Sequence, residues 1–142
     1  MVVDNTQQRL HRMELLLRVV KEVSAQETME EMLRTIVKVS AEQTGADRGT
    51  LFLNDERTGE LYSRIAQGVG TREIRILNNT GIAGLVFTTG VGEIVDEPYK
   101  DSRFNAKVDQ ETGYHTDSIL CAPVRTMKGE VIGVLQMLNK KD

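Results

Sequence analysis

The hydrophobic period of this 142-residue chain changes once, near Gly45, and that change restricts it to a fold in which helices come first and a sheet follows. Before it, Leu10, Met13, Leu17 and Val20 recur at spacings of three, four and three. Met29, Met32, Leu33, Ile36, Val37 and Val39 carry a second helical stripe. Two helices with a break near residues 24–28 are expected, because Ser24/Glu27 and Thr28/Glu31 both have capping-box spacing. Gly45 suits the left-handed residue that closes the second helix. The Leu10–Val20 seam suits a two-helix interface, while Leu16 and Val23 widen the stripe enough for docking on the chain's own core.

From residue 48 the period is two. Thr50–Leu53, Leu61–Ala66 and Glu73–Ile76 read as three strands of an antiparallel meander, because the connections between them are too short for parallel crossovers. Asn79–Gly90 reads as a short capped helix with small residues at its start, and Gly92–Val95 as a short strand. Residues 96–116 show no strong periodicity and form a stretch longer than an inert connection. Ser118–Val124 and Val131–Leu138 are the most apolar strands, are expected to pair as a hairpin and should sit centrally. The fold class expected is α+β, an antiparallel sheet with helices packed on it.

Composition narrows the function. Hydrophobic residues make up 39% of the chain and charged ones 27%, enough to bury a core. With 18 basic against 21 acidic residues, there is no basic excess to displace counterions from nucleic acid. One cysteine excludes an internal disulfide and a cysteine-rich zinc module, and two distant histidines, His11 and His115, make a histidine-based metal site improbable. Apolar runs of four or five residues fall far short of the ~20 that span a bilayer. The N-terminus, beginning Met1-Val2-Val3-Asp4, has no basic flank leading into an apolar run, so no export signal is visible. A cytoplasmic protein without cofactor, metal, nucleic-acid or membrane partner is expected.

No catalytic constellation emerges. Cys121 falls in a core strand with no base beside it, and such thiols usually act as small apolar side chains. His115 lacks a carboxylate or nucleophile at informative spacing; Asp109 and Glu111 read more simply as solvated loop acids than as an acid/base pair. Two features do suggest a ligand pocket. Thr80–Gly84 places bare amides at a helix start, where an anion can approach, although a tight turn packed on the sheet would look the same. The 96–116 stretch carries Phe104, Asn105, Asp109, Thr112, Tyr114 and Thr116, groups able to close over a ligand or simply to decorate a surface excursion.

The order of Asn79–Gly84 with Thr89–Gly90, Asp101–Asn105, Val108–Thr116, Ile119–Val124 and Gly129–Lys140 resembles the GAF family, and within it the cyclic-nucleotide-binding GAF domains of phosphodiesterases and cyanobacterial adenylyl cyclases. The resemblance implies a central antiparallel sheet of about six strands. The N-terminal helices would lie on one face, and a ligand pocket with a lid loop on the other. It divides the chain into a helical arm, 1–24, serving dimerisation or linkage, and a GAF domain, 25–142. The signature that begins at Asn139-Lys140 is cut short, so a terminal helix is expected to be truncated and an effector domain to lie elsewhere in a longer protein.

By the same resemblance, Ile82 and Ala83 would offer main-chain amides to a cyclic phosphate. Asp109, Thr112 and Thr116 match lid positions that bond ribose, phosphate or each other, and Phe104 and Asn105 match the pair at the mouth. Arg48 and Thr50 match positions that read the purine edge, in the cyclase-like form that favours cAMP. A guanidinium offers only donors, so it suits adenine ring nitrogens and opposes an exocyclic amine. Gln136 faces the same pocket, and Ala66 and Gln67 stand where many cGMP-binding relatives carry a Phe-Asp pair. The implied function is a non-catalytic regulatory sensor for a cyclic nucleotide, cAMP before cGMP, working as a homodimer. The alternative is a GAF module that binds no nucleotide and serves as a dimerisation or metabolite/redox input domain, as in a sensor kinase.

Overall fold

Helix formation in the first third of the chain is settled by local chemistry. The computed structural model describes residues 5–25, 28–70 and 72–141, and within it α1 runs Asn5–Ser24 and α2 Met29–Thr44. The Thr28 hydroxyl accepts from the Glu31 amide at 3.1 Å while the Glu31 carboxylate accepts from the Thr28 amide at 3.3 Å. This reciprocal cap, of a kind worth about 1 kcal/mol, starts α2. Ser24 instead donates to the Lys21 carbonyl. Glu27, the partner needed for the other capping box, lies outside the described residues, as do Met1–Asp4. Gly45, at φ 70°, ends α2 and turns the chain into the sheet.

The sheet has six strands, all antiparallel, in the order β3-β2-β1-β6-β5-β4. They are β1 Ala46–Asp55, β2 Glu60–Ala66, β3 Arg75–Leu77, β4 Glu93–Val95, β5 Ile119–Arg125 and β6 Val131–Lys140. The expected meander and the expected apolar hairpin are both present, but β1 and β6 hold the centre; β5, expected there too, lies one strand from the edge because the short β4 alone covers its outer side. β1 starts well before Thr50, because its pairing with β6 extends the ladder back to Ala46 opposite Lys140. β3 sits slightly later than its alternation suggests.

Two layers flank the sheet. α2 packs over β1, β6 and β2, with Val37, Leu51 and Ile65 at the centre of that layer. Helix α3, Gly81–Thr89, packs on β5 and β6 from the other side, where Phe52, Leu61, Ile82, Val86 and Val134 form the larger core. β2 reaches both layers through a bulge. Leu51 pairs with Ile65 and Phe52 with Ser63, leaving Arg64 unmatched. The extra residue reverses the alternation, so Leu61 belongs to the α3 side and Ile65 to the α2 side. Arg64 then reaches Glu30 of α2 at 3.6 Å.

Residues 96–116 are less irregular than their sequence suggests. Pro98–Lys100 forms a 3-10 turn, and Lys107–Thr112 forms a short helix, α4, closed by Gly113 at φ 76°. The apolar content of α4 is too low to announce a helix, and its one buried side chain is Asp109. In α1, Leu15, Val19 and Val23 are the half-buried positions, whereas Leu10, Met13, Leu16, Leu17 and Val20 are 55–68% exposed. No helix among the described residues is long and apolar enough to cross a membrane.

Candidate functional site

Alternation along β1 sends Arg48, Thr50 and Phe52 to the α3 face and Leu51 and Leu53 to the α2 face. On the adjoining β6, Gln136 and Leu138 point the same way as Thr50, to which Gln136 is directly paired. The first turn of α3 and the 104–116 stretch enclose the space above these strands, leaving a cavity of about 80 Å³. Its walls include Arg48, Thr50, Gln67, Ile82, Ala83, Phe104, Asn105, Asp109, Thr112, Thr116 and Gln136. Ala66 stands opposite Thr50 on β2 but does not line the cavity; it borders a separate surface recess with Glu30 and Arg34 of α2. Phe52, Ile74, Ile76, Leu138 and Tyr114 also line it. The β3 alternation pointed to Ile74 and Ile76, whereas nothing in the local sequence shows that Tyr114 ends up over Arg48.

The floor has an open helix end. Thr80 occupies the N-cap position of α3, yet its hydroxyl donates back to the Leu77 carbonyl at 3.2 Å and caps nothing. The first-turn amides of α3 therefore lack a side-chain acceptor, which leaves a partial positive charge beside the cavity. Gly81, at φ 69°, makes the turn into the helix, and a Cβ there would lie 3.5 Å from the Asn105 Cβ.

The roof is held by two polar hubs. Asp109, 9% exposed, accepts from the Tyr99 hydroxyl at 2.6 Å, from the Thr116 amide at 2.8 Å and from the Thr116 hydroxyl at 2.7 Å. It is therefore committed to the protein's own groups. Glu111 does not join it; its main-chain carbonyl accepts from Arg72. The hydrogen bond to Asp109 pushes the Tyr99 phenol up to about 12. The second hub is Asn139, at φ 57°, whose carboxamide accepts from the amides of Asp117 and Ser118 and donates to the His115 carbonyl and the Tyr114 hydroxyl. Tyr114 donates in turn to Asp47 at 2.7 Å. Burial, followed by that bond, pushes the Tyr114 phenol up to about 12. Across its ring lies the Arg48 guanidinium, 3.7 Å from the centroid. Gln67 braces the end of β2, its side-chain oxygen accepting from the Gly49 amide at 2.8 Å.

The remaining polar candidates stay outside this cavity. Cys121 is fully buried between Glu93 of β4 and Gln136 of β6, and burial pushes its thiol up to about 12, so the reactive thiolate is scarce. His115 does meet a carboxylate, Asp117 at 3.2 Å, two residues along the chain, and stacks on Tyr99 with ring centroids 4.6 Å apart. Among the described residues no group of three or more His, Cys, Asp or Glu side chains is placed to hold a metal ion.

Residues 28–142 match the sequence profile of the GAF domain. The chain belongs to the GAF family. This GAF domain is 44% identical over 109 residues to a probable 3',5'-cyclic phosphodiesterase, pde-5, of Caenorhabditis elegans, an alignment covering 68% of the chain and 15% of that protein. It is 31% identical over 152 residues to the dual 3',5'-cyclic-AMP and -GMP phosphodiesterase 11 of Drosophila melanogaster, covering 96% of the chain and 10% of the fly protein. The chain thus spans only a small fraction of the curated relatives it matches. Its fold is also that of the GAF domain of a phosphoenolpyruvate-protein phosphotransferase from Coxiella burnetii. The two superpose with a TM-score of 0.79 at 24% identity, over 91% of this chain and 77% of that one.

Proposed function

We propose that this GAF domain is a regulatory, non-catalytic input module of a longer cytoplasmic signalling protein, responding to a small molecule held between the first turn of α3 and the 96–118 segment. The observation that carries this is the convergence of an uncapped helix start, the polar edge of β1 and β6, and a hydrogen-bonded roof on one cavity. At about 80 Å³ the cavity has room for a few water molecules, well below the ~300–1,000 Å³ of typical ligand sites. Ligand entry therefore requires the 96–118 segment to act as a lid. Its opening breaks contacts at Tyr114 and Asn139, and the ligand shifts the open–closed balance by its differential affinity for the two states.

The ligand has two readings. A GAF module that takes no nucleotide, and serves as a dimerisation or metabolite input, is favoured by the small closed volume and by Ala66–Gln67, which provide no stacking aromatic at the end of β2. The unreactive environment of Cys121 speaks against a redox input. The narrower reading is a cyclic nucleotide, cAMP before cGMP. Its supports are the names of the sequence relatives, the helix start suited to a cyclic phosphate, and a guanidinium at Arg48 placed to address a purine edge. In that reading Ile82 and Ala83 donate amides to the phosphate, Thr112 and Asn105 contact it or the ribose, and Phe104, Thr50 and Gln136 line the base. Asp109 and Thr116 hold the lid itself. Calorimetric titration of the chain with cAMP and cGMP decides between the two. Saturable heat with cAMP, weakened by Arg48→Ala, supports the nucleotide; no heat and no thermal shift at millimolar concentration leaves the nucleotide-free module.

We also propose that α1 forms a two-helix interface with a second copy along Leu10, Met13, Leu17 and Val20, since the face of α1 that meets the domain is the one bearing Leu15, Val19 and Val23. Residues 1–24 then act as an arm distinct from the GAF domain at 25–142.

A further inference from the structure

Outside the Arg48–Tyr114 stack lies a second, solvent-open recess of about 380 Å³. Arg48, Val69, Thr112 and Tyr114 form its inner wall, shared with the cavity behind them, and Gly68, Arg72 and Gly113 form its outer rim. Among the described residues no acidic side chain lines it. The two guanidinium groups are incompletely neutralised. Arg48 meets Asp47 only at 3.9 Å, and that carboxylate already accepts from Tyr114 and pairs with Lys141 at 3.4 Å. Arg72 donates to a neutral acceptor, the Glu111 carbonyl at 3.2 Å, and pairs with no carboxylate among the described residues. A chain of net charge −3 therefore gathers two positive charges around one concave, acid-free surface.

Geometry makes those charges usable. Stacking on Tyr114 occupies one flat face of the Arg48 guanidinium and leaves its N–H edge in plane, the edge that grips phosphate oxygens in pairs. The rim stays bare because it is built from glycines at φ 79° and 76°. A Cβ on Gly68 would come within 2.5 Å of the Arg48 Cζ, and any side chain there would displace the guanidinium. Two fixed positive charges match a dianion, whereas a carboxylate would neutralise only one of them.

We propose that this recess is an anion-binding site, separate from the inner cavity, that takes a phosphate dianion carried by a small molecule between Arg48 and Arg72. It shares a wall with the inner cavity but does not require that cavity to take a nucleotide. The test is titration of the isotope-labelled chain with inorganic pyrophosphate, read by amide chemical shifts. Saturable shifts at Gly68 and Gly113 are expected, with affinity lowered about tenfold in Arg72→Gln, the loss expected for one charge-assisted contact. Arg57→Gln, which removes an exposed charge beyond the opposite end of β1 from Arg48, should bind as the parent does, and acetate should bind more weakly than pyrophosphate. Shifts confined to Ile82 and Ala83, equal binding by Arg72→Gln, an equal loss in Arg57→Gln, or acetate binding as tightly would each overturn the assignment. Arg72 lines the recess and not the inner cavity, so Arg72→Gln tests this site alone, and the cyclic-nucleotide reading can fail while this one stands.

Discussion

Asp109 accepts three hydrogen bonds from groups that have no better partner, so its value lies in what its removal would strand. Asp109→Ala leaves the Thr116 amide and hydroxyl and the Tyr99 hydroxyl without their acceptor. A loss of about 3 kcal/mol is expected, chiefly from the unpaired amide and hydroxyl of the buried Thr116, and would appear in urea unfolding as a lowered midpoint with an unchanged slope. Tyr99 and Tyr114 predict an alkaline limit. Both phenols are raised from the ordinary 10 to about 12 in the folded state, so the unfolded chain loses those protons first. Their contribution is fully present below pH 10 and disappears as pH rises through about 12. Stability measured from pH 8 to 12 should fall across that window, and the fall should be shallower in Tyr99→Phe and Tyr114→Phe. At the acid end Asp101, held down at about 2 by its hydrogen bonds from Arg103, keeps its contribution until pH falls from about 4 towards 2.

Among the elements, the β1–β6 pair is the one that tolerates least. Gly133 of β6 lies so close to β1 that an added Cβ would collide with the Phe52 carbonyl oxygen and crowd Leu53. The Leu53 side-chain end can move aside, but the Phe52 oxygen and the Leu53 Cα are backbone, so Gly133→Ala must push the two central strands apart. The expected cost is about 3 kcal/mol, at the upper end of overpacking penalties, and thermal unfolding followed by circular dichroism would measure it. Helix α1 is the opposite case, a stripe with nothing over it. If the Leu10–Val20 seam joins two copies, light scattering should give twice the chain mass for residues 1–142 and the monomer mass for a chain starting at Ala25. Monomers in both would leave α1 as an intramolecular prop.

At the scale of the whole molecule, the change of hydrophobic period near Gly45 was enough to separate helical from sheet-forming sequence, and two capping-box spacings confined the start of α2 to residues 24–28 without choosing between Ser24 and Thr28. That Arg48 and Thr50 share one face of β1 was legible from alternation, whereas their place in a cavity wall was implied only by the resemblance to the GAF family. Three further things were not legible. The β2 bulge is silent because period two holds on either side of Arg64, and only the pairing with β1 reveals the slipped residue. Helix α4 is polar, and its place depends on Asp109 reaching groups that lie outside the helix, Tyr99 and Thr116. Tyr114 joins the site through tertiary bonds to Asp47 and Asn139, 67 and 25 residues away along the chain. Local pattern carries no trace of bonds that distant.

β1 is shared property: its odd and even residues belong to different layers, and a peptide plane cannot tip on one side without tipping on the other. On the proposed function, an occupant of the chamber is expected to shift the packing beneath α2. Conversely, trimming a methyl group from Val37, which never sees that chamber, should alter how readily it fills.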